Sequence, residues 1–148
     1  MTIASGMPDL CDANVWLALA AADHVHHERS QRYLQQEASR QIAFCRVTEL
    51  ALLRLLSSPH VFGDSRLSGS EAWRYLQALL ERPRVTRLEE PESLDVALGA
   101  LGASLDIRGR HWTDAYLAAF ATAAGARLVT FDADFGRYPG LAWLHLEP

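Results

Sequence analysis

Asp12, Asp132 and Asp134 each sit where a short apolar run ends. Asp12 directly follows Leu10 and Cys11, Asp132 directly follows Leu128, Val129, Thr130 and Phe131, and Asp134 comes two residues later. Glu49 and Asp114 fall in the first turns of two segments with helical spacing, Glu49 just behind the apolar stretch 42–45. Carboxylates delivered to one place from distant segments repel one another and resist ionisation. A hard divalent cation removes that conflict, since magnesium and manganese prefer oxygen ligands, chiefly carboxylates and waters. Such a site lowers the pKa of a bound water and neutralises phosphate charge, which are the two needs of phosphodiester hydrolysis. One ion or two are both compatible with these residues.

Each acid taken alone also has a plainer explanation. Glu49 and Asp114 suit the positive ends of helix dipoles, Asp12 suits an N-cap, and Asp132 and Asp134 suit a turn. The coincidence of all of them carries the signal.

The elements that must position these acids follow from periodicity. Residues 8–11 read as a strand, and Val15, Trp16, Leu17 and Leu19 begin a helix that runs out near Asp23. A helix over 27–40 and a buried strand over 42–45 follow. Val47, Leu50, Leu53 and Leu56 then recur at helical spacing up to a stop at Pro59, and 60–67 reads as a polar loop. Ser70 suits the N-cap of a helix carrying Trp73, Leu76, Leu79 and Leu80, which Pro83 ends before a strand over 84–88. Further helices are expected from Pro91 to about Leu105, weakened by Gly99 and Gly102, and from about Thr113; strands are expected over 127–131 and 141–146. Strands alternating with helices, joined by connections too long for hairpins, predict a central parallel sheet in a three-layer α/β/α domain. Ligands bind such sheets at the carboxyl ends of the strands, which selects Asp12 and Asp132.

The chain has 148 residues, 49% of them hydrophobic, enough for one packed domain over 1–148, with residues 1–6 expected to be a short N-terminal extension. Its formal charge of -4 gives no global attraction to nucleic acid, so a polyanion must be met locally or through a bound cation. All 14 basic residues are Arg, a residue suited to bidentate phosphate contact. The apolar stretches are too short or too interrupted to span a membrane, and the first ten residues lack the pattern of a signal peptide. A cytoplasmic location is therefore expected. Cys11 and Cys45, both read as strand residues, lack metal-type spacing and are expected to be inert buried thiols.

The segments LCDANVWLAL, VTELALLRLL, WTDAYLAAFA and RLVTFDADF, in this order, resemble the acidic motifs of PIN-domain proteins, most nearly those of VapC-type toxins from bacterial toxin–antitoxin pairs. The likeness runs from Met7 to Leu146. It implies a PIN-like α/β/α fold and an endoribonuclease dependent on Mg2+ or Mn2+, with a cognate antitoxin as partner, RNA as substrate and a homodimeric state. By motif, Asp12, Glu49, Asp114 and Asp132 match the catalytic, metal-binding acids, and Asp134 matches a position less constant in role. Asn14 and Thr130 match small polar positions that orient carboxylates or water. Arg46, Arg108 and Arg110 flank the motifs and are candidates for RNA phosphate contacts. Apolar positions over 50–56 and 73–80 could line an antitoxin groove or belong to the core.

Several rival readings share parts of this pattern. Aspartyl phosphotransferases and response-regulator receivers share an Asp after the first strand, but both rely on a lysine amine, and this chain contains no Lys. A metal-binding PIN-fold interaction module without catalysis, or a nuclease acting on DNA, are the remaining alternatives; the preference for RNA rests on resemblance. His24, His26 and His27 suggest zinc, yet no Cys or acid completes a set at zinc spacing, so solvated or capping roles are expected. Trp16, Trp73, Trp112 and Trp143 read as core or interface.

Overall fold

The computed structural model describes residues 6–148; most of the expected N-terminal extension lies outside the described residues. Five short strands form one sheet: β1 (Asp9–Cys11), β2 (Ile42–Phe44), β3 (Val85–Arg87), β4 (Arg127–Thr130) and β5 (Trp143–His145). Their order is β3-β2-β1-β4-β5, and every neighbouring pair is parallel. The helices are α1 (Ala13–Ala20), α2 (His27–Gln36), α3 (Arg46–Leu56), α4 (Pro59–Phe62), α5 (Gly69–Leu80), α6 (Leu94–Ser104) and α7 (His111–Ala124). This is the three-layer parallel architecture expected from the alternation of elements.

Side chains alternate across each strand and so feed two cores. Leu10 and Leu128 pack on one face with Ala115, Ala118, Phe120 and Leu94 of α7 and α6. Cys11, Phe44 and Val129 pack on the other with Val15, Trp16, Tyr33, Leu52 and Leu76 of α1, α2, α3 and α5. Trp16 stacks on Phe44 with ring centroids 3.9 Å apart. Trp73 and Leu50 are about half exposed, whereas Leu52, Leu56 and Leu76 are buried, so the 50–56 and 73–80 helices contribute to both core and surface.

Several boundaries differ from expectation for local reasons. Cys45 is not in a strand; it caps α3, its N–H donating to Thr48 Oγ1 at 2.9 Å. Helix α3 ends at Leu56, ahead of the expected stop at Pro59, and Pro59 itself opens α4, where its missing N–H costs nothing at the first helical position. The expected polar loop is thus α4 followed by a 3-10 turn over Gly63–Ser65. The cap of α5 is Ser68 rather than Ser70: Ser68 Oγ accepts from Glu71 N at 3.1 Å, and Glu71 Oε1 accepts from Ser68 N at 2.9 Å. Helix α2 stops at Gln36, where the N–H groups of Glu37 and Ala38 both turn back to the Tyr33 carbonyl. Helix α6 starts at Leu94, after a turn in which Leu94 N bonds the Pro91 carbonyl. Gly102 of α6 is a close-approach position, since a Cβ there would lie 3.0 Å from the Trp112 ring of α7.

Both cysteines are free and buried, and burial pushes both thiols above their ordinary pKa. No helix among the described residues is long and apolar enough to cross a membrane.

Beneath the opposite, amino-terminal edge of the sheet lies a network that sequence periodicity does not reveal. Asp9, fully buried at the start of β1, accepts from Arg127 Nε and Nη2 at 2.8 and 3.0 Å. It also accepts from Tyr33 Oη at 2.6 Å and from Ser39 N and Oγ at 2.9 and 3.0 Å. Arg127 adds a bond to the Glu37 carbonyl at 2.9 Å. This pins α2 and the following turn to the two central strands.

Candidate active site

Asp12 leaves β1 as the N-cap of α1, with extended backbone, and its N–H is bonded to the Val129 carbonyl of β4 at 2.9 Å. Its Oδ1 accepts from Ala13 N and its Oδ2 from Thr130 Oγ1, both at 2.8 Å. Thr130, the fully buried last residue of β4, also accepts from Asp132 N at 3.0 Å and from Asn14 Nδ2 at 3.5 Å. One hydroxyl thereby uses its donor and both acceptor positions. Asn14 Oδ1 accepts from Phe131 N at 3.4 Å, and Asp132 Oδ1 accepts from Asp134 N at 2.9 Å, closing a tight turn. The exits of β1 and β4 are thus held as one unit, with Asp12 and Asp132 on it.

Asp114 arrives from the first turn of α7, with Oδ2 3.8 Å from His111 Nδ1. Burial pushes the Asp12 carboxyl above its usual range; the bonds from Thr130 and Ala13 oppose this, and the charges of Asp114 and Asp132 add to it. Asp114 is likewise raised, by burial first, then by Asp132, with His111 opposing and Asp134 adding. Asp12, Asp114, Asp132 and Asp134 therefore form one electrostatic group at the carboxyl edge of the sheet.

Glu49 is placed differently. It is fully buried in the first turn of α3, where Oε1 accepts from Arg46 Nη1 at 2.8 Å and Oε2 from Arg87 Nε at 2.5 Å. Its charge is matched by two guanidinium groups, whereas the aspartates face like charge. Arg46 is thereby engaged with Glu49, Arg108 pairs with exposed Asp106 at 2.7 Å, and Arg110 is exposed just ahead of α7. Arg87 reaches Glu49 from β3 and was not singled out by sequence; its advance signal was its place at the end of a strand.

The histidine cluster is occupied by local structure. His24 Nδ1 accepts from His26 N at 3.0 Å, His27 Nδ1 donates to the Ala18 carbonyl at 2.7 Å, and the His26 ring stacks on Phe131. Among the described residues, no three His, Cys, Asp or Glu side chains stand close enough together to cage an ion directly. The aspartate set nevertheless suits a hard divalent cation: it is all oxygen, and the neighbouring carboxylates add to the burial that raises Asp12 and Asp114. Magnesium keeps several of its waters and is commonly bound through one or two carboxylates, so a fully protein-built cage is not required.

The profile of the PIN domain family matches residues 10–141. Ribonuclease VapC41 of Mycobacterium tuberculosis is 41% identical over 137 residues, spanning 89% of this chain and 94% of that protein. Ribonuclease VapC44 of the same species is 35% identical over 147 residues, spanning 95% and 98%. The chain belongs to the PIN domain family, among the VapC proteins. Solved structures share the fold at low identity. Mycobacterium tuberculosis VapC20, described as a sarcin–ricin loop cleaving toxin, superposes with a TM-score of 0.69 at 19% identity, covering 95% of this chain and 99% of that one. The VapBC-1 structure from nontypeable Haemophilus influenzae gives 0.70 at 19%, covering 95% and 98%.

Proposed function

We propose that this chain is a divalent-metal-dependent endoribonuclease and the toxin of a toxin–antitoxin pair. The observation that carries the reading is the aspartate group at the carboxyl edge of a parallel sheet, in a chain whose 41%-identical relative is a ribonuclease. Asp12, Asp114 and Asp132 would hold Mg2+ or Mn2+, with Asp134 beside them, and Glu49, whose oxygens each keep an acceptor position beside their arginine bond, would be the fourth acid of the set. When bound, the cation would supply an activated water and neutralise charge on the phosphodiester. The chain's own residues set the stage for this. Thr130 fixes the Asp12 carboxylate and the Asp132 backbone together, and Asn14 steadies Thr130. Ionised aspartates accept a cation only once their protons have left, so the raised Asp12 and Asp114 couple metal binding to proton release.

An antitoxin partner is supported by the fold neighbours, several of which are toxin–antitoxin complexes. A homodimer and a cytoplasmic location are part of the same proposal.

The test is to incubate purified chain with mixed cellular RNA and Mg2+ or Mn2+, beside EDTA and Asp12→Asn controls, and to map new RNA ends. Cleavage lost in both controls supports the reading. Folded protein that leaves several RNAs intact, or cleaves them equally in EDTA, overturns it in favour of an interaction module or a different chemistry.

A further inference from the structure

The arginines of this chain divide by how their nitrogens are used. Arg127 places Nε and Nη2 on Asp9 and the Glu37 carbonyl, and Arg29 commits Nε, Nη1 and Nη2 to Glu37 and the Glu147 carbonyl. Arg84 places both Nη atoms on backbone carbonyls. These are structural clamps. Arg87 bonds through Nε alone, to the fully buried Glu49, and among the described residues its two Nη groups have no acceptor. Its side chain is 32% exposed. A guanidinium anchored by its inner nitrogen, with the outer pair of nitrogens uncommitted, keeps donors for phosphate contact.

Its place in the fold gives that capacity a use. Arg87 is the last residue of β3, in register with Phe44 of β2, so it stands at the same carboxyl edge as Asp12, two strands away. At about 4.8 Å per strand, that is roughly 10 Å from the exit of β1. Arg46, 57% exposed and bonded to the other oxygen of Glu49, adds a second positive charge there. One buried carboxylate thus holds two cations at the sheet edge that also carries the aspartates, on a chain whose net charge of -4 offers polyanions no general attraction.

We propose that Arg87 binds the phosphate backbone of the RNA strand beside the aspartates, and that Glu49 is the counter-ion that positions it. The proposal rests on the ribonuclease reading above and adds a binding residue to it.

The test measures fluorescence anisotropy of a labelled oligouridylate in EDTA, where metal-dependent cleavage is blocked. It compares wild type, Arg87→Met, Arg87→Lys and Arg54→Met, the last an exposed arginine at the far end of α3 from Glu49. Arg87→Met should weaken binding about ten-fold. It should also reduce the slope of log affinity against log salt by about 0.7, the share of one phosphate contact on a single strand. Arg87→Lys keeps the charge and the slope but loses the fork, and should weaken binding several-fold, while Arg54→Met should bind like wild type. The inference is overturned if Arg87→Met stays within about two-fold of wild type, if Arg54→Met loses as much, or if wild type does not bind. Should Arg87→Met fail to fold, Arg87→Lys decides, and wild-type affinity there overturns the inference. Metal-dependent cleavage with unchanged Arg87→Met affinity sinks this inference alone. Lost Arg87→Met affinity without metal-dependent cleavage sinks the activity reading and leaves this one standing.

Discussion

Replacing Asp9 by Asn removes one charge from the buried network under β1 while nearly keeping its shape. In the wild type, the carboxylate takes five hydrogen bonds, two of them from Arg127, and is inaccessible to solvent. The amide keeps one acceptor oxygen but turns an NH2 toward groups that are themselves donors, and leaves the Arg127 guanidinium without a counter-ion. Breaking a buried pair from one side costs about 3–5 kcal/mol. The Arg127 side chain is 20% exposed and keeps its bond to the Glu37 carbonyl, so the lower end, about 3 kcal/mol, is expected. For a domain of this size that lowers Tm by roughly 6–12 °C, a large share of a total stability of about 5–15 kcal/mol. The assay is urea and thermal unfolding followed by circular dichroism, with Arg127→Met and the double variant completing a cycle. The double variant should be less destabilised than the sum of the singles, because removing both charges leaves neither unpaired. A loss below about 1 kcal/mol for Asp9→Asn, or strict additivity in the cycle, would refute the reasoning.

Three further outcomes are expected. Asp114→Asn should raise Tm in EDTA at neutral pH by relieving repulsion, while Mg2+ or Mn2+ should raise the Tm of wild type more than that of the variant; equal metal shifts in differential scanning fluorimetry would count against Asp114 as a ligand. Because Asp12 and Asp114 are raised above 3.8 in the folded chain, their ionisation opposes folding at pH values above the folded pKa, and the penalty vanishes below the unfolded one. The Asp114→Asn advantage should therefore shrink on acidification, and metal affinity followed by calorimetry should fall at a higher pH than for an ordinary carboxylate site. Ser68→Ala, which removes the α5 capping box, should cost about 1 kcal/mol and roughly 2–4 °C in Tm without altering metal binding.

The fold was legible because each strand is a brief apolar run and the helices between them carry clear periodicity; the alternation alone specifies a parallel sheet. Asp12 and Asp132 were legible for the same reason, as acids at the point where such strands end. What could not be read is whom a side chain meets across the sheet. Glu49 looked like the aspartates from its place in a first helical turn, yet its surroundings are set by Arg87, which lies 38 residues further on in another strand. Asp9 is a polar residue inside a strand, and only the arrival of Tyr33, Ser39 and Arg127 makes its burial tolerable. Ser68 and Ser70 are equally good caps by composition, and the choice fell to the one with Glu71 three residues later.

The central position of β1 between β2 and β4 has a consequence for synthesis. The strand that begins the sheet is made first, but one of its two neighbours, which also carries Thr130 and leads into Asp132, is made only after β2 and β3. At about 5–20 residues per second, the growing chain spends several seconds with Asp12 exposed and its partners not yet translated. The aspartate group cannot assemble before β4 and the turn behind it have been made. A ribosome that terminates before residue 132 therefore releases a fragment without the complete aspartate group, however well its first three strands have been made.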